Sequence, residues 1–506
     1  MRDIFVSIDL EMTGSRPESQ EAIEIAAIKF RGERILGTWS SLIRPSIPLP
    51  YSIQVLTGIK PDDLARAPDL PDIAEQLVAF VGRLPLVGHT VSADVGCLRR
   101  QGIALPNPQI DTFELASVLL PQMPSYSLAT LARHFGVPIP SQHRAASDAL
   151  VAMQLFLGLV RQVRRLDLSV LQEINRLVAP FDWPLKFVFQ AVEDERTRTA
   201  SRGTSIRQQL AAKTTDDLPL EVLLLASPAP QPLRPVAERQ AVDIRRLLEM
   251  LGPDGTLGRA GYELRPSQAR MIEHVAEALN EGRKLLVEAG AGTGRSLAYL
   301  LPAIAFAQAN REPVVIAAST RNRQDQLHQI DLPNLRRCLP TPFESVLVKS
   351  RDSYLCLRRW TALRRRRDLS LAEALTLVKT LVWLPVTQTG DVAELNLTDS
   401  ERAIWRRISA DDDCDPDGCA YAHRGVCFLR RVAQAAASAH VVVTSHAVLL
   451  DDLASSDKLL PDRRCLVVDE AHHLEDAATR QLGYDLSMHD LLAHLDELRG
   501  PNGALG

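Results

Sequence analysis

The chain has 506 residues, of which 46% are hydrophobic and 24% charged, and its net charge is −4. At roughly 150 residues per domain, this length predicts about three domains. The composition is that of an ordinary globular protein, which excludes a wholly disordered, collagen-like or mucin-like chain. The small negative charge excludes a polycation, so any nucleic-acid binding must come from local patches.

The N-terminus and the cysteines indicate a compartment. The first residues, MRDIFVSIDLEM, have the pattern of a charged strand rather than of a signal peptide. The longest apolar stretches, such as Ser296 to Ala309, are shorter than the roughly 18 residues of a membrane span. Seven cysteines without an export signal do not indicate a disulfide framework. We therefore expect a reduced, cytoplasmic protein without a membrane partner, in which clustered cysteines bind metal.

Three blocks follow from the pattern of strands and helices. Residues 1–165 combine strand-like runs with helical runs, which predicts an α/β domain: FVSIDL and AIEIAAIKF, then SLATLARHFGV and SDALVAMQLFLGLVRQV. Residues 166–255 form a connector with a Pro-rich hinge, ASPAPQPLRP, and a polar stretch, RTRTASRGTS. Residues 256–506 return to strand–loop–helix order. Four apolar runs there predict buried parallel strands: KLLVEAG, EPVVIAAST, AHVVVTSH and RRCLVVDEAHH.

Two acidic residues on the first predicted strand suggest a cation site. Asp9 and Glu11 are two residues apart, so their side chains point to the same face of the strand. Two neighbouring carboxylates are costly to bury unless a cation compensates their charge. Oxygen ligands of this kind suit Mg²⁺ or Mn²⁺. Taken alone, the pattern fits a solvated strand edge at least as well.

Three further residues complete a recognisable set. Asp94 follows an apolar run in GHTVSADVGCL, and HRAASDAL carries His143 and Asp148. With Asp9 and Glu11 they resemble the motifs of the DnaQ-like, DEDDh-type 3′–5′ exonuclease family, as do SIDLEMTG, TGIKPDDL, IDTFELASVLLP and SYSLATLARHFGVP. The resemblance implies a ribonuclease H-like fold in which four carboxylates hold two divalent ions. It also implies that His143 is the general base on water.

A glycine-rich turn in KLLVEAGAGTGRSLAYLLP predicts a phosphate-binding loop. Backbone N–H groups of such a loop cradle phosphates at a helix N-terminus. Arg295 stands where the P-loop pattern has lysine, and arginine lacks the compact donor of lysine. We therefore expect ATP binding to be weakened and hydrolysis impaired; a glycine-rich turn without a ligand is the alternative. The candidate ATP-binding residues are Ala289, Gly290, Gly292, Thr293, Gly294, Arg295 and Ser296, whose hydroxyl would contact Mg²⁺.

Further motifs accompany this loop. LVVDEAHH contains Asp469, predicted to hold Mg²⁺ through water, and Glu470, predicted to polarise the attacking water. YELRPSQARMI resembles the glutamine motif that reads adenine, with Gln268 as its glutamine, and VVIAASTRNRQDQL resembles a helicase motif that grips the nucleic-acid backbone. RRWTALRRRR places six arginines around Trp360. That run fits either a DNA-contacting surface or a solvated helix face.

Four cysteines lie between the phosphate loop and the DEAH sequence. Thiolates select zinc or iron–sulfur clusters, and the spacing is not that of a zinc ribbon. SYLCLRR and the region that ends in CFLRR resemble the iron–sulfur insert of XPD/DinG-type DNA helicases. The resemblance implies a [4Fe–4S] cluster in an insert at about residues 350–432, while zinc and free thiols remain alternatives. The predicted ligands are Cys356, Cys414, Cys419 and Cys427.

Residues 256–506 therefore resemble the N-terminal half of a DinG-like superfamily 2 helicase, a single P-loop RecA-like domain with a cysteine-rich insert. The second RecA-like domain is absent from this sequence, and a separate chain that supplies it is a candidate partner. The expected function is a metal-dependent 3′–5′ exonuclease on single-stranded DNA, attached to an ATP-binding helicase region in DNA repair or replication. The alternatives are an ATP-dependent DNA helicase that needs its missing domain and a non-catalytic nucleic-acid-binding scaffold.

Overall fold

The computed structural model describes most of the chain, and its residues fall into two compact units. One unit comprises Met1–Leu225 with Arg359–Ile408, and the other comprises Ala226–Arg358 with Ser409–Gly506. Part of the predicted polar stretch and the start of the Pro-rich hinge lie outside the described residues. The described residues are 3–14, 16, 18–141, 143–200, 230–290, 292–414, 418–455, 458–462, 464–483, 488, 491, 492 and 495.

The first unit is built on a five-stranded sheet of order β3-β2-β1-β4-β5. The three N-terminal strands are antiparallel, and β4 and β5 run parallel to β1. The two strands predicted near the N-terminus are confirmed as β1 and β2. The bounds are β1 (Phe5–Met12), β2 (Ala22–Arg31), β3 (Arg34–Leu42), β4 (Leu86–Gly88) and β5 (Gln109–Asp111).

Helices cover this sheet, and both helices predicted in the first block are confirmed. The long helix α7 packs against β1 and β2. The bounds are α1 (Tyr51–Thr57), α2 (Pro61–Ala65), α3 (Leu70–Val81), α4 (Val91–Arg100), α5 (Thr112–Leu119), α6 (Leu128–Phe135), α7 (Ala145–Arg165), α8 (Leu168–Val178) and α9 (Lys186–Ala200). Helices α8 and α9 extend this unit into the predicted connector, where Trp183 stacks on Phe189 with ring centroids 5.6 Å apart.

The alternation of side chains along β1 decides which face carries the acids. Val6, Ile8 and Leu10 belong to the apolar core that includes residues of α3 and α4. The opposite face meets α7: the Ser7 hydroxyl donates to the Ala149 carbonyl at 2.7 Å. Because side chains alternate along a strand, Asp9 and Glu11 share the α7 face with Ser7.

Helix α7 is also long and apolar enough, by length and composition, to cross a membrane. However, 61% of its most apolar window is buried inside the protein. Its apolarity is accounted for by its place against the sheet, where the core helix of a folded domain passes the same test.

The second unit contains a parallel four-stranded sheet of order β7-β8-β6-β9. Three of its strands are the predicted runs EPVVIAAST, AHVVVTSH and RRCLVVDEAHH. The strands are β6 (Val314–Ala318), β7 (Ser345–Leu347), β8 (Val441–Ser445) and β9 (Cys465–Val468). The helices outside residues 359–408 are α10 (Ile244–Leu251), α11 (Thr256–Arg259), α12 (Pro266–Glu281), α13 (Arg295–Asn310), α14 (Arg321–Gln326), α15 (Leu332–Cys338), α19 (Ala420–His423), α20 (Phe428–Ser438), α21 (His446–Ala454) and α22 (Leu474–Leu482).

The prediction of a buried strand at KLLVEAG was wrong. Residues 284–290 have no strand structure, and Leu286 is 90% exposed. A strand needs a neighbour that pairs with its backbone N–H and C=O groups. Within the described part of the chain no strand pairs with this run, which therefore stays extended and solvated.

The predicted cysteine insert does not fold as one body. Residues 359–408 belong to the first unit, whereas the flanking cysteines belong to the second. The helix α16 (Leu357–Arg364) spans the division, and α17 (Leu371–Trp383) and α18 (Asp399–Ile408) follow it. Helix α17 packs against α5 and α8, and the Asn396 N–H donates to the Pro121 carbonyl at 2.8 Å. The helix α17 therefore packs within the first unit.

Candidate active site

Three elements of the first unit bring its predicted acidic residues together. Strand β1 carries Asp9 and Glu11, α4 carries Asp94 in its first turn, and α7 carries Asp148 in its first turn. His143 lies in the turn before α7. Ligand atoms of Glu11, His143 and Asp148 all lie within 4.8 Å of one another. Residues from distant positions in the chain thus meet in one carboxylate-rich site.

Burial and mutual repulsion govern the charge of this cluster. Burial, and then the charges of Asp94, Asp148 and Glu11, raise the pKa of Asp9 well above its ordinary value. Burial, and then Asp148, raise the pKa of Glu11 to about 7. Burial is also the first cause of the raised pKa of Asp94 and of Asp148. Burial and mutual repulsion disfavour the ionised form of these four carboxyl groups. The cluster therefore favours binding of a cation, which neutralises their charge.

The turn before α7 positions the histidine. His143 has a positive φ of 56°, and its backbone N–H donates to Asp148 Oδ2 at 3.2 Å. The other oxygen, Asp148 Oδ1, is buried and has no hydrogen-bond partner among the described residues. An orphaned carboxylate oxygen beside further hard oxygen donors fits a Mg²⁺ or Mn²⁺ ion.

An ion pair behind the site was missed by the sequence analysis. Glu24 lies opposite Glu11 in the β1–β2 register, and Arg144 Nη2 donates to Glu24 Oε1 at 2.7 Å. The same carboxylate accepts the backbone N–H of Ala145 at 3.0 Å. Glu24 thereby ties the start of α7, and with it His143 and Asp148, to the sheet. The signal was visible in AIEIAAIKF, where Glu24 is a charged residue within an apolar, buried run.

Asp111 supports the helix that carries Asp94, and it too was given no role from the sequence. Its Oδ1 accepts the backbone N–H groups of Thr90 at 3.0 Å and Phe113 at 2.8 Å. Thr90 begins α4 with a positive φ of 64°. The charge of Asp111 also helps to raise the pKa of Asp94, after burial.

The second unit forms a cavity beside the predicted phosphate loop. Gln268 Nε2 donates to the Gly294 carbonyl at 3.0 Å, and a Cβ at Gly294 would lie 2.1 Å from that nitrogen. Gly294 also has a φ of 77°, so this position needs glycine. Gln268 Oε1 is buried without a partner among the described residues. The cavity, of about 390 Å³, is lined by residues that include Tyr262, Arg265, Gln268, Gly294, Ser296 and Asp331.

The DEAH sequence meets the start of α13. Arg295 Nη2 lies 2.7 Å from Glu470 Oε1. Arg323 of α14, to which the sequence analysis gave no role of its own, joins Asp469 and Ser296 through its guanidinium group. The loop before Gly294 is more open: Gly290 and Gly292 are exposed, Ala289 is half-buried, and the Thr293 hydroxyl donates to the Gly290 carbonyl at 2.9 Å.

The four cysteines of the predicted cluster lie in the second unit. Cys414 Sγ is 3.9 Å from Cys356 Sγ. Burial, and then the neighbouring Cys419 and Cys414, raise the pKa of the Cys427 thiol. All four are half-buried, and Cys356, Cys414 and Cys427 pack against one apolar cluster of this unit. Cys356, Cys419 and Cys427 directly precede α16, α19 and α20.

The arginine-rich run does not form the predicted stacking surface. Trp360 is fully buried and its indole N–H donates to the Thr380 hydroxyl at 2.8 Å. Arg364 is also buried and pairs with Glu173 at 3.1 Å. A buried indole cannot stack on a base, so these two residues hold α16 against α17 and α8 instead.

Comparisons with known proteins show that the chain is similar to exonucleases. The exonuclease family model RNase_T matches residues 6–156. The 3′-5′ exonuclease DinG of Bacillus subtilis (strain 168) is 29% identical over 504 residues, which cover 98% of this chain and 53% of the relative. The protein of the same name from Staphylococcus saprophyticus is 26% identical over 495 residues, covering 96% of this chain and 52% of the relative.

A solved structure, exonuclease X in complex with 5′ overhanging duplex DNA, is 25% identical and covers 31% of this chain and 91% of that chain, with a TM-score of 0.27. The chain spans about half the length of the curated relatives it matches. Its N-terminal unit is an α/β domain of the ribonuclease H-like exonuclease type. The chain thus carries a domain of the exonuclease family at its N-terminus and is homologous, over nearly all of its own length, to 3′–5′ exonucleases of the DinG type.

Proposed function

We propose that this chain is a metal-dependent 3′–5′ exonuclease that hydrolyses the phosphodiester bonds of single-stranded DNA. The observation that carries the proposal is the convergence of Glu11, His143 and Asp148 within 4.8 Å, inside a domain that matches the exonuclease family. Asp9 and Asp94 belong to the same cluster, because their charges and those of Glu11 and Asp148 shift one another's pKa values.

The four carboxylates of Asp9, Glu11, Asp94 and Asp148 would hold two Mg²⁺ or Mn²⁺ ions. Bound ions of this kind stabilise negative charge on the oxygens of a phosphodiester under attack. The chain's own contribution is to hold these oxygens at a largely buried site, where bound cations offset their mutual repulsion.

His143 supplies the proton acceptor. Its side chain lies at the exposed edge of the cluster, in ligand distance of Glu11 and Asp148, where water and a strand end can reach it. The imidazole takes the proton of the attacking water, and the contact between its backbone N–H and Asp148 Oδ2 fixes the turn that presents it.

The test is single substitution in the full chain. We expect His143→Ala to lower the rate of single-stranded DNA degradation by roughly 10²–10⁴-fold, the usual contribution of a general base. Asp148→Asn is expected to abolish degradation at low metal concentration. Asp62→Asn, which changes an exposed carboxylate on α2, is the matched control and should leave the rate unchanged. Undiminished degradation by His143→Ala and Asp148→Asn would overturn the proposal.

We further propose that the second unit, as a RecA-like helicase region, binds ATP. Gln268 Oε1 is a buried acceptor that has no partner in the described part of the chain. It lies beside a cavity of about 390 Å³ and can accept the amino hydrogen of adenine. Gly294, Arg295 and Ser296 begin α13, where backbone N–H groups favour phosphate.

We also propose that Cys356, Cys414, Cys419 and Cys427 bind a [4Fe–4S] cluster. This proposal is supported by the close approach of Cys356 to Cys414 and by the proximity of Cys419 and Cys427. Anaerobically purified protein should contain iron and acid-labile sulfide, and Cys414→Ser should lose both, whereas Cys338→Ser should lose neither. Zinc without sulfide would assign the site to zinc, and the absence of both metals would contradict a metal centre.

A further inference from the structure

The nucleotide site of the second unit has an arginine between the two groups that a P-loop protein uses for magnesium. Those groups are the hydroxyl that follows the loop and the carboxylate at the end of the DEAH strand, here Ser296 and Asp469. Arg323 Nη2 donates to Ser296 Oγ at 2.7 Å, and Arg323 Nε donates to Asp469 Oδ2 at 2.7 Å. A third contact joins Arg323 Nη2 to the Tyr299 hydroxyl at 3.4 Å.

These residues do not fit a magnesium ion. The Asp469 side chain is 6% exposed and that of Arg323 is 20% exposed, so this ion pair is largely withdrawn from water. A divalent cation at Ser296 and Asp469 would have to displace the guanidinium from both oxygens. It would then place two positive charges beside the half-buried Arg323 guanidinium, and the nearby Asp331 carboxylate, which also faces Ser296, would offset that repulsion only in part.

The second acid of the DEAH sequence is engaged in the same way. Arg295, which stands where lysine is expected, lies 2.7 Å from Glu470, and His472 Nδ1 lies 3.5 Å from the other oxygen of that carboxylate. Glu470 is therefore paired with the Arg295 guanidinium instead of being available to polarise a water molecule. Arg295 is about a third exposed, and a guanidinium group can exchange a carboxylate for a phosphate because both offer matching pairs of oxygens.

We propose that this site binds a nucleoside di- or triphosphate without a divalent cation and retains it unhydrolysed. Arg295 and Arg323 provide the positive charge that magnesium provides elsewhere, and Arg323 contacts Ser296, which lines the cavity together with Arg265. Asp469 stays paired to Arg323, whereas Arg295 exchanges the Glu470 carboxylate for a phosphate. The inference rests on the proposed binding of ATP by this unit and is independent of the exonuclease site.

The test is titration of ATP and of ADP into the full chain by calorimetry, once in EDTA and once in excess MgCl₂. The chain carries Asp9→Asn and Asp148→Asn, so that metal-bound nucleotide does not bind at the carboxylate cluster. We expect the two dissociation constants to agree within about threefold, and no phosphate release from ATP, whereas a site that needs magnesium would lose at least about tenfold in EDTA.

Variants of Arg323 distinguish its role from a general loss of charge. Arg323→Gln should weaken binding in EDTA at least about tenfold and make binding respond to magnesium. Arg321→Gln removes an exposed arginine from the same helix and should change neither value. If Arg323→Gln fails to fold, Arg323→Lys replaces it. Lysine keeps the charge but cannot contact Ser296 Oγ and Asp469 Oδ2 together. We expect it to weaken binding in EDTA as well, by a smaller factor.

The possible outcomes distinguish metal-independent binding from ATP binding by the second unit. Binding by the parent chain that requires magnesium, or steady release of phosphate from ATP, would overturn metal-independent binding while leaving ATP binding in place. Equal dissociation constants for Arg323→Gln in EDTA and in magnesium would also overturn it. No binding under either condition would overturn both this inference and the proposal that the unit binds ATP.

Discussion

At the scale of single residues, the acid cluster makes the stability of the metal-free protein depend on pH. The pKa of Glu11 is raised to about 7, chiefly by burial, against an ordinary value of 4.5. Between these values the folded state binds a proton that the unfolded state releases. In EDTA the free energy of unfolding should therefore fall as pH rises from about 4.5 to 7 and stay low above that. Urea unfolding at pH 5 and pH 8 measures this.

Two variants make that prediction specific. Glu11→Gln should reduce the pH dependence by the share that Glu11 contributes, whereas Glu75→Gln, at an exposed position of α3, should leave it as it is. Addition of Mn²⁺ at pH 8 should restore stability to the parent chain, because bound cations stabilise the folded state. A free energy of unfolding that rises from pH 5 to pH 8 in EDTA would contradict the account of the cluster.

The ion pair of Glu24 and Arg144 gives a second residue-scale prediction. The Glu24 side chain is 7% exposed, so Arg144→Gln leaves a nearly buried carboxylate without its cation. We expect the free energy of unfolding to fall by about 1.5–3 kcal/mol, as for a lost hydrogen bond to a charged group. Because α7 is anchored through this pair, kcat should fall more than KM rises.

The exposed pair of Arg161 and Glu33 provides the control. Arg161→Gln removes a cation from α7 whose partner is 84% exposed, and should cost less than about 1 kcal/mol. Equal losses of stability for the two variants would show that Arg144 does not anchor α7.

The residues that the sequence predicted and those it missed differ in kind. Asp9, Glu11, Asp94, His143 and Asp148 sit in local motifs, and their roles are predicted from the resemblance of those motifs to the DEDDh-type exonuclease family. Glu24 and Arg144 pair across 120 positions of the chain, and Arg323 meets Asp469 across 146. Such pairs form only once the elements that carry them have packed, so no local sequence pattern predicts them.

At the scale of elements, the approach of α4 to the sheet depends on Gly88. A Cβ at this position would lie 2.9 Å from the Ile8 carbonyl oxygen and 2.9 Å from Val91 Cβ. Gly88→Ala should therefore push α4, with Asp94, away from β1. We expect a loss of about 1–3 kcal/mol in the free energy of unfolding, typical of overpacking, and a fall in nuclease rate.

A matched glycine tests whether the effect is one of space. A Cβ at Gly37 on β3 would meet the Phe80 ring at an ordinary 3.6 Å. Gly37→Ala should leave both stability and nuclease rate nearly unchanged. If it is as harmful as Gly88→Ala, the close approach of α4 is not the cause.

The elements also show where sequence patterns stop being sufficient. The runs of β1, β2, β6, β8 and β9 were predicted as strands, and each has a neighbour in its sheet. KLLVEAG has the same apolar composition but no pairing strand among the described residues, and it is not a strand. Composition thus predicts the capacity for a strand, whereas the strand forms only where a neighbouring segment pairs with its backbone.

At the scale of the whole molecule, the carboxylate cluster and the nucleotide site lie in different compact units. The carboxylate cluster draws all its residues from the first unit, and the arginine-bridged nucleotide site draws all of its residues from the second. The sequence predicted both sites but placed residues 359–408 in the cysteine insert. Their attachment to the first unit follows from long-range packing of α17, which spacing along the chain does not encode.

This separation leads to an expectation about cofactors. The exonuclease reaction should need Mg²⁺ or Mn²⁺ but not ATP, because none of the described residues of the carboxylate cluster comes from the second unit, where we propose that nucleotide binds. The most direct measurement is degradation of a 5′-labelled single-stranded DNA by the full chain with Mn²⁺ and without ATP. A ladder that shortens from the 3′ end, and that disappears with Asp148→Asn, is the predicted result. No ladder with either metal, or a ladder that Asp148→Asn leaves unchanged, would contradict the assignment of the carboxylate cluster as the active site.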